Sequence, residues 1–116
     1  MTPEDVTQIV EIIRGCDYLE NTVFISFFWD NLVYVRNLVP GQTVQFLTCE
    51  CDRALTEKLI AARMDLDILH EALTPELIDT LHAAGLRINC WTVNDPDDAL
   101  RYIDWGVDYI TSNILE

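Results

Sequence analysis

Thr74-Pro75-Glu76-Leu77-Ile78-Asp79-Thr80-Leu81-His82-Ala83-Ala84-Gly85-Leu86-Arg87-Ile88-Asn89-Cys90-Trp91-Thr92-Val93-Asn94-Asp95-Pro96 spells one helix, one strand and the start of a second helix. Thr74 is a capping residue, Pro75 suits the first helical position, and Glu76 complements the positive end of the helix dipole. Leu77, Ile78 and Leu81 repeat at helical spacing, and Gly85 supplies the stop. The apolar run from Arg87 then reads as a strand. Asp95-Pro96-Asp97-Asp98 restarts the helical grammar, with Ala99, Leu100 and Ile103 before Gly106.

The same unit recurs in both directions. Strand-like runs start near Val23, Thr43, Asp65, Arg87 and Val107, about 20–22 residues apart, which is the spacing of a repeated structural unit. Thr2-Pro3-Glu4-Asp5 opens a helix with Val6, Ile9, Val10 and Ile13 on one face and a stop at Gly15. Asp30 is expected to cap a helix carrying Leu32, Val35 and Leu38 or Val39, ended by Pro40-Gly41. Asp52 caps another, with Leu55, Leu59 and Ile60 inward. Val23-Phe24-Ile25-Ser26-Phe27-Phe28 is almost unbroken in apolar character, as a parallel strand buried on both faces is. The expectation is an α/β chain of five parallel strands alternating with helices, joined by short right-handed connections.

The 116 residues fit a single domain spanning 1–116, and 50% hydrophobic content is enough for a real core. No apolar run reaches the roughly 18 residues of a membrane span, and the N-terminus lacks the pattern of a signal peptide. A net charge of −13 argues against nucleic-acid backbones and anionic membranes as partners. Cys16, Cys49, Cys51 and Cys90 are too few and too irregular for a disulfide framework, so a reducing, cytoplasmic setting is expected.

Polar residues inside the strands carry more information. Gln45, Asp67 and Asn89 lie 22 residues apart, so they are expected to form one layer across neighbouring strands. By alternation, Leu47 and Cys49 share the face of Gln45, Leu69 and Glu71 that of Asp67, and Trp91 and Val93 that of Asn89. Two readings stand: the polar groups satisfy one another in a barrel lumen, or they line a pocket near the strand C-termini. Cys49-x-Cys51 with His70 invites a zinc reading if both thiols share a strand face. Such sites use wider cysteine spacing and about four ligands, so buried or mildly reactive thiols are the competing reading.

Asn89-Cys90-Trp91-Thr92-Val93-Asn94-Asp95-Pro96, followed by Ile103-Asp104-Trp105-Gly106-Val107-Asp108-Tyr109-Ile110-Thr111, resembles the closing section of the glycerophosphodiester phosphodiesterase family. Ile25-Ser26-Phe27 resembles that family's Ser-Phe strand end, and Gln45-Phe46-Leu47 the strand after it. The likeness runs over essentially the whole chain and maps onto strands four to eight of a (β/α)8 TIM-type barrel, so a partial barrel is implied. Ser112 stands where the family commonly carries Asp. The resemblance implies metal-dependent hydrolysis of glycerophosphodiesters to glycerol 3-phosphate and an alcohol, part of lipid metabolism. It also implies a substrate-pocket wall made of Ser26, Phe27, Leu47 and Trp91.

The family's His-Arg-Gly, Pro-Glu-Asn-Thr and Glu-x-Asp motifs, which supply its acid–base histidines and its Mg or Ca ligands, have no match here. Leu19-Glu20-Asn21-Thr22 echoes one of them but precedes a strand, as an ordinary helix-to-strand turn would. Phosphodiester hydrolysis needs an acid, a base and a cation for the phosphate charge. This chain offers only His70, at a strand end, and His82, in mid-helix. No catalytic residue, no metal ligand and no bound cofactor are therefore expected in this chain. A glycerophosphodiester would be its substrate only within a complete enzyme. Five strands leave both sheet edges open, which predicts a homo-oligomer. The alternative reading is a non-catalytic half-barrel that serves self-association or binding.

Overall fold

Four of the five described α-helices begin where a short polar side chain captures a free backbone N–H. The computed structural model describes residues 2–113; Met1 and residues 114–116, the ends of the expected 1–116 domain, lie outside the described residues. Thr2 and Asp5 form a reciprocal capping box at α1 (Pro3–Gly15). Asp52 accepts from Leu55 N at α3 (Arg53–Ala62), Thr74 from Leu77 N at α4 (Pro75–Ala83), and Asp95 from Asp97 N at α5 (Pro96–Trp105). The exception is α2 (Trp29–Leu38), whose N-cap is Phe28 rather than Asp30. Asp30 lies two residues past the cap position and sits in the first turn instead, where its charge suits the dipole. The chain turns into α2 through Ser26, whose Oγ accepts from Phe28 N at 2.9 Å.

Helix ends follow the same logic with one correction. Gly85, just after α4, and Gly106, at the end of α5, take φ of 82° and 94°, the left-handed region that glycine enters without a Cβ clash. Gly15 was expected to do this for α1. It stays within the helix, and Asp17 takes the positive φ, 59°.

The chain divides into two compact units, Met1–Leu47 and Thr48–Glu116. In the first, β1 (Phe24–Ser26) runs parallel to β2 (Val44–Thr48), with Phe24 opposite Val44 and Ile25 opposite Gln45. Val6 and Val10 of α1 and Leu32 and Val35 of α2 are buried, and Thr7 Oγ1 meets Tyr34 Oη at 3.1 Å between these helices. Gln42 Nε2 donates to the carbonyls of Leu19 and Thr22. That bond secures the 3-10 turn Leu19–Asn21, the ordinary entry to a strand expected for Glu20-Asn21-Thr22. β1 departs from expectation, because Ile25 is 46% exposed and Phe27 and Phe28 lie beyond its end. Among the described residues β1 pairs only along its β2 side, so it lacks the second neighbour that would bury it.

In the second unit β3 (Asp65–Leu69), β4 (Ile88–Trp91) and β5 (Tyr109–Ile110) are parallel and hydrogen-bonded in that order. Leu66, Ile68, Ile88 and Cys90 are fully buried, as are Ile78 and Leu81 of α4 and Leu59 of α3. For β3 and β4 the expectation of strands covered on both faces holds, for Asp67 and Asn89 on the opposite face are buried too, whereas Tyr109 of β5 is exposed. The inward faces of two helices differ from their apolar spacing. Ile60 of α3 and Leu100 and Ile103 of α5 are exposed, and α5 buries Tyr102 instead. Tyr102 stacks edge-on against His70 and Trp105, with the Arg101 guanidinium 5.1 Å from its ring centre. The ring that can reach both polar partners and core wins the buried position.

Urea unfolding should separate these classes. Ile78→Ala, at a fully buried site, should cost about 2–5 kcal/mol. Leu100→Ala, at a side chain 65% exposed, should stay within about 0.5 kcal/mol. An equal loss from both would contradict the assignment of the buried face of α5.

Candidate functional site

Three of the four expected wall residues lie together in the first unit. Ser26, Phe27 and Leu47 line a groove of about 340 Å³ beside β1, along with Val6 and Ile9 of α1 and Leu32 of α2. No charged side chain is among its lining residues. Ser26 reaches it while its hydroxyl holds the turn into α2, and Phe27 and Phe28 stand out beside it, 53% and 68% exposed. The geometry follows from the chain path: β1 ends early, and two consecutive aromatic residues meet solvent before α2 begins.

The fourth residue, Trp91, belongs to the second unit, where it ends β4 half-buried and opposite Leu69. Its peptide bond to Thr92 is cis. On the same face, Asp67 lies directly opposite Asn89, as the shared spacing predicts, and Thr111 Oγ1 donates to Asn89 Oδ1 at 3.1 Å. Asp67 is only 4% exposed, and its Oδ1 has no hydrogen-bond partner among the described residues. Burial pushes its carboxyl up to about 6, because a charged form would have to give up water without a compensating partner. Gln45 is buried in the first unit, opposite Ile25.

The strands end sooner than the alternation argument assumes. β2 stops at Thr48 and β3 at Leu69, so Cys49 and Glu71 lie in turns and share no strand face with Gln45 or Asp67. Cys51 also lies in the loop, its Sγ 3.3 Å from Thr56 Oγ1, and burial raises its thiol. The premise of a two-thiol zinc face is thereby corrected. Cys90 is fully buried, and its thiol is pushed up to about 11, chiefly by burial. Val93 lies past β4 but continues the pairing, its N–H donating to the Thr111 carbonyl.

Both histidines are engaged locally. His70 opens the 3-10 turn His70–Ala72 rather than ending β3, and its Nδ1 lies 2.8 Å from Tyr102 Oη. His82 Nε2 lies 2.7 Å from Asp108 Oδ2, which also accepts from Ile88 N at 2.8 Å. Sequence reasoning missed this pairing, although Asp108 belongs to the Gly106-Val107-Asp108 motif. Ser112 Oγ and Asn113 N both donate to Asn94 Oδ1, closing the loop after β4 onto the segment after β5. Among the described residues no three His, Cys, Asp or Glu side chains come together as a metal-holding group.

Comparison with known proteins gives one consistent picture. The family model described as the Glycerophosphoryl diester phosphodiesterase family matches residues 4–115. A glycerophosphodiester phosphodiesterase of Bacillus subtilis (strain 168) is 35% identical over 95 residues, covering 76% of this chain and 32% of that protein. The crystal structure of a glycerophosphodiester phosphodiesterase from Parabacteroides distasonis superposes with a TM-score of 0.86 at 28% identity, over 97% of this chain and 49% of that one. An Oleispira antarctica phosphodiesterase, solved with its product sn-glycerol-3-phosphate, matches in fold at TM-score 0.84 and 23% identity, over 95% of this chain and 45% of its own. The chain thus spans about a third of the curated relative and under half of these two structures. The five parallel strands and their helices form part of a (β/α)8 TIM-type barrel.

Asp67 makes stability depend on pH. Its carboxyl titrates near 6 when folded and near 3.9 when unfolded. The folded state therefore holds the proton more tightly between those values. The associated stability is fully present below about pH 4 and is lost as pH rises through 6, on the order of 3 kcal/mol in all. Asp67→Asn should flatten that part of the profile and be more stable than the parent at pH 7, as read by urea midpoints between pH 4 and 7.5. An unchanged slope in the variant would contradict the assignment.

Proposed function

The chain belongs to the glycerophosphoryl diester phosphodiesterase family, and on that premise we propose that it serves as the non-catalytic part of a barrel that hydrolyses glycerophosphodiesters to glycerol 3-phosphate and an alcohol. In this reading Ser26, Phe27 and Leu47 supply pocket wall from the first unit, and Trp91, in the second, supplies apolar wall for a glycerol or alcohol moiety. The acid, the base and the metal ligands are supplied by other polypeptide. The observation that carries it is the commitment of both histidines: His70 is held by Tyr102 and His82 by Asp108, each within 2.8 Å. The two histidines are hydrogen-bonded to different residues and not to one another, and proton transfer by a positioned side chain is worth about 10²–10⁴ in rate.

The relatives' names support the substrate class. The free thiols support a reducing, cytoplasmic setting. Among the described residues no helix is long and apolar enough to cross a membrane. The alternative, a half-barrel that only binds or self-associates, draws on the apolar groove of the first unit.

Incubation of the 116-residue chain with glycerophosphocholine or glycerophosphoethanolamine, with magnesium, calcium or manganese added, should release no glycerol 3-phosphate. Turnover that co-purifies with the chain and vanishes in His70→Ala would overturn the proposal.

A further inference from the structure

Trp91 and Thr92 form a two-residue excursion whose ends are both tied to one residue of the neighbouring segment. Thr111 N donates to the Cys90 carbonyl, and the Thr111 carbonyl accepts from Val93 N, each at 2.8 Å. Cys90 and Val93 are themselves buried, so the backbone on either side of the excursion is fixed. Trp91 can shift only if Thr111 lets go.

The strand ladder alone holds Thr111 weakly. β5 is two residues long, Tyr109–Ile110, and ends just before it, and short terminal segments are the first to fray. Two asparagine side chains that bracket Trp91 in sequence secure the segment instead. Asn89 Oδ1, two residues before Trp91, accepts from Thr111 Oγ1 at 3.1 Å. Asn94 Oδ1, three residues after it, accepts from Ser112 Oγ at 3.1 Å and from Asn113 N at 2.9 Å. A backbone N–H only donates, so Asn113 fixes which atom of the Asn94 amide faces the segment. It is the oxygen, and both bonds need it. We propose that Asn94 is a positioning residue for Trp91: by holding Ser112 and Asn113 it keeps Thr111 closed on both ends of the excursion.

The place of Asn94 in the chain suits this task. Asp95, the next residue, caps α5 by accepting from Asp97 N, so Asn94 extends from a fixed helix end. Restraint passes from α5 through Asn94 to residues 111–113 and back to Trp91. Ser112 and Asn113 are exposed, so burial does little to hold them in its stead. The functional meaning rests on the reading of Trp91 as pocket wall. A wall fixed before the ligand arrives needs less ordering on binding, so Asn94 sets affinity for the alcohol moiety and takes no part in the chemistry.

The chain has three tryptophans, Trp29, Trp91 and Trp105, so labelling with fluorotryptophan gives three fluorine NMR signals, and that of Trp91 is identified by its loss in Trp91→Phe. Asn94 is exposed, so its replacement should keep the fold. Asn94→Ala should move the Trp91 signal by more than its linewidth and leave those of Trp29 and Trp105 in place. Asn94→Asp keeps the accepting oxygen and adds charge where the α5 dipole tolerates it, so it should restore the parent signal. Thr74→Ala removes the cap of α4 and should lower stability without moving the Trp91 signal, which separates positioning from general loosening. Glycerophosphocholine added to the parent should shift the Trp91 signal. The concentration giving half that shift should rise about three- to tenfold in Asn94→Ala, the effect of leaving one side chain to be ordered on binding. No shift in the parent would count against Trp91 as pocket wall, while the Asn94 dependence of its signal would still support the positioning role. A Trp91 signal unchanged in Asn94→Ala, unrestored in Asn94→Asp, or moved equally by Thr74→Ala would overturn the proposal.

Discussion

The second unit depends on two carboxylates that grip the start of β4 from opposite sides. Asp65 Oδ1 accepts from Arg87 N at 2.9 Å, and Asp108 Oδ2 accepts from Ile88 N at 2.8 Å. Successive N–H groups of a strand point to opposite edges, so one carboxylate fixes β4 against β3 and the other fixes it against β5. A slip of one residue would turn every side chain to the wrong face. These bonds oppose such a slip where pairing begins, and the register Asp67–Asn89 and Leu69–Trp91 follows from them. Asp108 extends the hold to α4 through His82. Two acidic residues and a histidine thus act as fasteners.

Much of the fold was legible because its signals are local. Thr2, Asp52, Thr74 and Asp95 each capture an N–H two or three residues away, and such bonds form whatever the rest of the chain does. Alternation of helix and strand followed from the same punctuation. Helix faces were less legible, because apolar spacing defines a stripe without saying what will cover it. Leu100 and Ile103 kept the spacing and stayed exposed, while Tyr102 took the buried place through Trp105, three residues on, and His70, a contact distant in sequence. Strand ends were the least legible: a loop residue such as Cys49 or Glu71 continues an alternation on paper after the backbone has turned away.

For the candidate site the division is similar. The motif around Trp91 and Asp108 identified the family, and the spacing of Asp67 and Asn89 correctly placed them opposite one another. The groove beside β1 could not be read from spacing, since it arises from the early end of a three-residue strand and the exposure of the two rings that follow. Nor could the roles of the histidines, which depend on Tyr102 and Asp108, 32 and 26 residues away.

Cys90 has a practical consequence. Its thiol is sealed inside β4 and held up near 11, so at neutral pH almost none of it is the reactive thiolate. A maleimide can reach that sulfur only when the strand leaves the sheet, whereas Cys16 and Cys49 are exposed. The slowest phase of labelling, beyond that of the partly buried Cys51, therefore times the opening of the central strand of the second unit, and the molecule carries its own clock for that motion.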